Sequence, residues 1–366
     1  MDVNKTVRQY DLDWIRVIAT IGVFLYHCSM FFNPFPWHVK NNTIDTSGIL
    51  VFSLFVGVWI MPIFFAISGM NTIHSLTKRS TFTFLKERFI RLGIPLVFGV
   101  FILSPPQVFI ERITNHQFSG TFLQFLPTYF DGLYLDIGGN GNFAFSGLHL
   151  WYLLVLLVFS IVALPIFKLL PQVKKFSGFH FLLLPFILFL SGVINTLGLG
   201  GWDLVFYFII FIYGYYFFSS ATFKPALKSN YKKLVVIAII TSVIYIVWFM
   251  IGLPVAGSIQ DYLFYGVKVI ACWSWLCVIF SLAAKYLAFS NRFLTYSSEA
   301  SMPFYVLHQP IIVFIGFLIH DLSWPILYKM IFLILSSFSI IMLIYHFVIR
   351  KINILRILFG LKGNYR

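Results

Sequence analysis

Charged residues are scarce in this sequence. They make up 10% of its 366 residues, whereas a soluble domain usually carries about 25%. Apolar residues supply 60% of the chain, and the mean hydropathy is +0.90. This composition excludes an ordinary soluble domain. Because apolar runs of about 20 residues recur along the chain, membrane-spanning helices are favoured over the short alternating strands of a membrane barrel.

Acidic residues and cysteines are also few. The 12 acidic residues stand against 26 basic ones, for a net charge of +14. The basic residues collect on one side of the predicted membrane, so they do not indicate a nucleic-acid partner. The three cysteines lie in apolar runs and imply no secreted disulfide framework, and their spacing is not that of zinc ligands. Phosphate-binding loops, dinucleotide fingerprints and H-E-x-x-H are missing too. We therefore expect no metal site and no permanently bound cofactor.

The apolar runs predict an all-α bundle of about ten transmembrane helices, in a single membrane-embedded domain over residues 1–366. The predicted spans are residues 12–32, 49–70, 92–110, 148–170, 179–198, 203–219, 234–253, 262–286, 302–320 and 325–349. If the N-terminus is cytoplasmic, 21 of the 26 Lys and Arg residues fall on the cytoplasmic side. This bias obeys the positive-inside rule. It predicts an even number of spans, both termini in the cytoplasm, and a multi-pass protein of the cell membrane.

The first predicted span carries two polar residues inside the bilayer. Arg16 and His27 are eleven residues apart, which places them on one helix face, about 16 Å apart along the axis. A cation within a span is a functional hypothesis by default, and an imidazole on the same face can transfer protons. The alternative is structural: Arg16 reaches the cytoplasmic headgroups, and His27 is a hydrogen-bonded packing residue.

Two further stretches lie at the predicted cytoplasmic side. Arg88 and Arg91 would be neighbours on a helix and can grip phosphate groups, or they are ordinary positive-inside anchors. Ser68 and Gly69 lie near the end of the second span. Small residues there allow a ligand or a neighbouring helix to approach the backbone closely.

Polar residues also mark the fourth and ninth predicted spans. His149 and Trp151 open the fourth span at its outer end, a position that is also typical of an interfacial packing residue. The ninth span holds a polar segment with Tyr305, His308 and Gln309. These groups could stabilise a developing negative charge in a reaction. The alternative is a kinked helix with a hydrogen-bonded histidine.

Together these motifs resemble the acyltransferase-3 family of integral membrane acyltransferases. In chain order they are Arg16-x10-His27, Phe65-x-x-Ser68-Gly69, Arg88-x-x-Arg91, His149-x-Trp151 and Tyr305-x-x-His308. Residues 10–16 look like the branch that includes the osmoregulated-glucan succinyltransferases. The resemblance implies a ten-helix core, acyl-CoA as a cytoplasmic co-substrate, and a hydroxyl acceptor such as a cell-envelope glycan, reached from the outer side.

The resemblance also implies roles for single residues. His27 is the expected base, and Arg16 supports the same site. The other catalytic candidates are His308 and Tyr305. The acyl-CoA candidates are Arg88, Arg91, Ser68 and Gly69, and the acceptor candidates are His149 and Trp151. Residues 148–152 differ from the Trp-Ser-Leu-x-x-Glu type segment of many O-antigen-modifying relatives, so the acceptor stays open, as does the choice between acetyl and succinyl.

The competing interpretation is a multi-pass solute transporter in which Arg16, His27 and His308 line the path. Transporters often show inverted repeats and paired broken helices, and this sequence has neither. The sequence leaves open whether the acyl group passes directly to the acceptor or through a covalent acyl-His27. It also leaves the oligomeric state open.

Overall fold

The computed structural model describes residues 9–173, 175–194 and 196–363. Four basic residues that entered the topology prediction lie outside the described residues: Lys5, Arg8, Lys174 and Arg366. Helices dominate the described chain, and its strands are the two-residue β1 (Gly198–Leu199) and β2 (Trp202–Asp203), which pair antiparallel. The all-α class is confirmed.

The longest connections are the loop after the first helix and the loop between the fifth and seventh, which contains the four-residue sixth helix. They are α1 (Tyr10–Met30), α2 (Gly48–Lys78), α3 (Thr81–Arg88), α4 (Ile94–Phe98), α5 (Ser104–Thr114), α6 (Phe122–Phe125), α7 (Trp151–Leu169), α8 (His180–Ser191), α9 (Leu204–Tyr213), α10 (Phe223–Ile251), α11 (Ile259–Tyr286), α12 (Arg292–Ile319), α13 (Ile326–Ile344) and α14 (Asn353–Leu358).

Seven helical segments of the described chain are long and apolar enough to cross a membrane. They are Gly48–Lys78, Thr81–Thr114, Leu148–Leu169, Phe223–Ile251, Ile259–Tyr286, Arg292–Ile319 and Ile326–Ile349. Two shorter apolar segments, His180–Ile194 and Leu204–Phe218, contain α8 and α9. A multi-pass membrane protein is thus supported by seven segments, while the count of ten stays a prediction.

The segment Thr81–Thr114 is longer than the predicted span 92–110. Two π-helical turns, Phe89–Gly93 and Gly99–Leu103, join α3, α4 and α5 into one 34-residue run. The prolines of this run stand in the first turn of α4 and of α5, directly after the π turns. Since proline lacks an N–H and its ring clashes with the preceding turn, the wider π turns let the helix continue. Lys86, Arg88 and Arg91, which precede the predicted span, are therefore helical.

The described chain forms two compact units. The first unit contains the described residues within Met1–Ala19, Leu54–Lys78 and Pro165–Ser298, and the second contains those within Thr20–Ser53, Arg79–Leu164 and Glu299–Arg366. The prediction of a single domain over residues 1–366 stays a prediction.

Close helix packing in the first unit depends on two glycines. A Cβ atom on Gly69 of α2 would overlap the carbonyl oxygen of Phe211 in α9 and come within 3.0 Å of Gly214 Cα. A Cβ atom on Gly214 would overlap the carbonyl oxygen of Ala66. The two backbones therefore touch, as small residues allow. Gly69, which the sequence analysis singled out as a small residue, allows close helix packing in this structure.

The long loop of the second unit, between α5 and α7, packs on α5 with its own apolar cluster. The buried members are Val108, Phe125, Tyr129, Tyr134, Ala144 and Leu148. The Tyr129 hydroxyl donates to the carbonyl oxygen of Val100 at 2.7 Å. This loop is thus a fixed part of the second unit, and it brings Tyr134 and Leu148 close to α5.

Candidate active site

Two histidines that are far apart in the sequence lie next to each other in the second unit. Nδ1 of His27, near the end of α1, lies 2.5 Å from Nε2 of His308 in α12. Their ring planes differ by 5° and their ring centres are 4.7 Å apart. With so short an N···N distance, the rings meet edge to edge in one plane, which is the geometry of a hydrogen bond. His308 is buried and His27 is half-buried.

When both rings are neutral, the backbone fixes which of their nitrogens carry protons. Nδ1 of His308 lies 2.6 Å from the carbonyl oxygen of Tyr305. Because a carbonyl oxygen can only accept, this Nδ1 carries a proton, and Nε2 of His308 is an acceptor. Nδ1–H of His27 therefore donates to His308. It follows from this network that Nε2 of His27 is unprotonated and can take a proton.

His149 lies on another side of His308, in the 3₁₀ turn Leu148–Leu150 that precedes α7. The ring centres of His149 and His308 are 5.0 Å apart, with planes at 85°. Nε2 of His149 donates to the carbonyl oxygen of Val306 at 3.1 Å. Its Nδ1 is then an acceptor, and this buried atom has no partner among the described residues. The Tyr305 hydroxyl donates to the carbonyl oxygen of His149, which ties α12 to the start of α7.

Beside this cluster lies a network of buried side chains, of which the sequence singled out Gln309 alone. Nε2 of Gln107 donates to the carbonyl oxygen of Leu103 at 2.8 Å, so Oε1 of Gln107 faces Gln309. Nε2 of Gln309 donates to that oxygen at 3.1 Å and to Nε2 of His38 at 3.0 Å. Nδ1–H of His38 then donates to Oε2 of Glu111 at 2.5 Å. One network therefore runs from α5 through α12 to the loop after α1.

Donors surround the carboxylate of Glu111, which is fully buried. Besides His38, its donors are the Tyr134 hydroxyl at 2.7 Å, the Gly138 N–H at 2.8 Å and Nη1 of Arg112 at 3.3 Å. Burial, and then the charge of Glu111, raise the pKa of Tyr134, so its hydroxyl stays a donor. A buried charge is tolerated when it is paired and hydrogen-bonded in this way.

The loop after α1 is held by a lysine that folds back on it. Nζ of Lys40 donates to the carbonyl oxygens of Met30 at 2.5 Å, of Phe35 at 3.1 Å and of Asn33. Burial lowers the pKa of Lys40 to about 8. At neutral pH the ammonium therefore keeps three N–H groups, one for each carbonyl. This loop places Trp37 against His27, with the two ring centres 5.1 Å apart.

Not every predicted site residue lies in this cluster. Arg16, Ser68 and Gly69 belong to the first unit, where Nη2 of Arg16 is 2.8 Å from Oδ1 of Asp13 on the same helix. Arg88 and Arg91 belong to the second unit, at the end of α3 and in the π turn that follows. The described residue Trp151, half-buried, is the first of α7.

The residues that sequence reasoning missed are Trp37, His38, Gln107 and Glu111. His38 and Glu111 are 73 positions apart, and each looks unremarkable in its own segment. The available signal was Glu111 itself, since a carboxylate at the end of an apolar run needs a partner. Within the described ranges, no group of three or more His, Cys, Asp or Glu residues is placed to hold a metal ion.

Comparisons with known proteins agree with the resemblance in the sequence. The family model described as an acyltransferase domain matches residues 9–346. Glucans biosynthesis protein C of Salmonella gallinarum (strain 287/91 / NCTC 13346) is 23% identical over 333 residues, covering 84% of this chain and 83% of that protein. Its namesake in Escherichia coli (strain K12) is 25% identical over 337 residues, with the same coverage of 84% and 83%. No solved structure matches. The chain belongs to the acyltransferase-3 family of membrane acyltransferases.

Proposed function

We propose that this protein transfers an acyl group, acetyl or succinyl, from cytoplasmic acyl-CoA to a hydroxyl group of a cell-envelope glycan. The family supports acyl transfer, and relatives named for glucans biosynthesis support a glycan acceptor. One observation carries the mechanism: the hydrogen bonds from the Tyr305 carbonyl through His308 to His27 leave Nε2 of His27 free to accept a proton.

In this mechanism His27 is the general base. Nε2 of His27 takes the proton of the acceptor hydroxyl while its oxygen attacks the thioester carbonyl, a role worth typically about 10²–10⁴-fold in rate. His308 is a positioning residue, because its Nε2 accepts the Nδ1–H of His27 and strengthens that bond when His27 becomes cationic. When the C–S bond breaks, His27 returns the proton to the leaving thiolate, giving free CoA and the acyl ester.

The remaining site candidates fit around this chemistry. Arg88 and Arg91 would hold the phosphates of CoA, as paired guanidinium groups can. The unpartnered Nδ1 of His149 would accept a hydrogen bond from the glycan acceptor, with Trp151 beside it. Arg16 would support the site. Ser68 and Gly69 would border the bound donor, and Gly69 would also allow the close approach of α2 and α9.

We also propose ten spans in the cytoplasmic membrane, with both termini in the cytoplasm. The seven long segments, α1 and the two shorter apolar segments together make ten. The distribution of Lys and Arg in the sequence supports this orientation.

The test is thioester turnover by the protein in lipid nanodiscs, with acetyl-CoA or succinyl-CoA and a glucan acceptor. We expect His27→Ala to lower the rate of CoA release by about 10²-fold or more, the low end of the range for a lost general base. A matched control is His320→Ala, since His320 contacts Phe317 and Asp321 at the end of α12. Turnover retained in His27→Ala would contradict the base role.

A binding titration separates donor binding from chemistry. CoA should still bind to His27→Ala, and binding should weaken when Arg88 and Arg91 are both changed to Ala. Wild-type protein that neither binds nor cleaves either thioester would contradict the proposed donor.

A further inference from the structure

An indole N–H without a partner lies beside the proposed base. Nε1 of Trp37 is buried and has no hydrogen-bond partner among the described residues. The residue is 8% exposed, and its ring lies at 31° to that of His27. Since a buried N–H left unpaired is unfavourable, an acceptor that reaches this atom would bind there preferentially.

An unpaired indole alone does not mark a site in this protein. Trp59, Trp202 and Trp273 also carry buried Nε1 atoms without a described partner. All three belong to the first unit, whereas Trp37 belongs to the second unit and packs against His27. The position of Trp37, rather than its missing partner, distinguishes it, and the other three supply matched controls.

The loop around Trp37 is rigidly held. His38, the next residue, lies between Glu111 and Gln309. Lys40 binds three carbonyl oxygens of the same loop, and Nζ of Lys329 donates to Oδ1 of Asn41 at 2.6 Å. A donor fixed in advance in a buried site stabilises a developing negative charge without first having to reorganise.

We propose that Nε1–H of Trp37 donates to the acyl oxygen of the thioester and holds it as an oxyanion during transfer. This inference rests on the proposed function. An indole nitrogen only donates, so it suits an oxygen that only accepts, as the acyl oxygen does.

Attack of the acceptor oxygen forms a C–O bond, and the π electrons of the carbonyl move to the acyl oxygen, which Trp37 holds. The hydroxyl proton goes to Nε2 of His27. The electron pair then returns to re-form the carbonyl, the C–S bond breaks, and the thiolate takes the proton from His27.

The first test is Trp37→Phe, which removes the N–H and keeps an aromatic ring. We expect kcat for CoA release to fall about 10²–10³-fold, as for loss of one oxyanion donor, with little change in KM. Trp273→Phe makes the same chemical change at a site 2% exposed in the first unit, and its kcat should change less than about threefold. If Trp37→Phe does not fold, benzothienylalanine at position 37 keeps the bicyclic ring without the N–H.

A second readout does not depend on turnover. In His27→Ala protein, the infrared carbonyl band of bound ¹³C-labelled acyl-CoA should lie at lower frequency than in water-free solvent, because it accepts a hydrogen bond. This lowering of the carbonyl frequency should disappear in the double variant with Trp37→Phe. It should persist in the double variant with Trp273→Phe. Normal kcat and an unchanged band in the Trp37 variants would overturn the inference, while wild-type protein that releases no CoA would overturn the proposed function itself.

Discussion

At the scale of single residues, the buried carboxylate of Glu111 connects three parts of the second unit. Its donors come from the loop after α1, from the loop between α5 and α7, and from Arg112 on its own helix. Each partner is a donor, so the site is built for an acceptor with full negative charge. Because His38 follows Trp37, this carboxylate also fixes the loop that places Trp37 beside His27.

Glu111→Gln should therefore destabilise the protein strongly. The amide would turn an NH₂ group toward donors and leave Arg112 without its carboxylate, a change that costs about 3–5 kcal/mol for a buried pair. We expect a clear drop in the apparent melting temperature in nanodiscs, followed by tryptophan fluorescence.

Glu87→Gln is the matched control for this prediction. Glu87 pairs with Arg79, and the two side chains are 38% and 39% exposed, so this pair contributes about 0–1 kcal/mol. Equal, small shifts of the melting temperature in both variants would show that the Glu111 network does not hold the second unit together.

The sequence singled out the two histidines of the central pair, together with His149, Tyr305 and Gln309, but it did not single out Trp37, His38 or Glu111. A polar residue inside an apolar run is visible without structure, so His27 and His308 stood out. Their contact joins residues 281 positions apart. The spacing of eleven residues between Arg16 and His27 did not predict this contact. Trp37, His38 and Glu111 were missed because their contacts are with residues of other segments, which the sequence does not show to be close.

At the scale of elements, the close contact of α2 with α9 gives Gly69 a packing role. The sequence left two interpretations of this small residue, helix packing and donor binding.

Helix ends were predicted less well than helix centres. α10 begins at Phe223 and α12 at Arg292, about ten residues before the predicted spans, because hydropathy detects the apolar part of a helix and not its polar extension.

The variant Gly69→Ala distinguishes a helix-packing role of Gly69 from a donor-binding role. Its methyl group would overlap the backbone of Phe211, and overpacking of this kind costs about 1–3 kcal/mol. We expect a lower melting temperature. Gly48→Ala, at the start of the same helix where nothing lies within 4 Å of an added Cβ, should leave stability unchanged or slightly raised. Weaker CoA binding without any loss of stability in Gly69→Ala would instead favour donor binding.

At the scale of the whole molecule, the segments His180–Ile194 and Leu204–Phe218 decide the number of spans. At about 1.5 Å per residue each is roughly 22 Å long, short of the hydrocarbon core of about 30 Å. They either cross a thinned bilayer, giving ten spans, or enter and leave on one side, giving eight. The charge bias does not separate these cases, because residues 199–202 between the predicted spans carry no Lys or Arg and both counts leave the termini in the cytoplasm.

Two glycines allow a direct measurement of this topology. Gly178 precedes α8 and Gly198 follows it, both are exposed, and an added Cβ meets nothing within 4 Å at either position. The native cysteines, Cys28, Cys272 and Cys277, are buried, so a membrane-impermeant maleimide reports only the added thiol. With ten spans, Gly198→Cys is labelled in intact spheroplasts and Gly178→Cys only after permeabilisation. If both need permeabilisation, the two short segments form a re-entrant pair, and the acyltransferase crosses the membrane eight times.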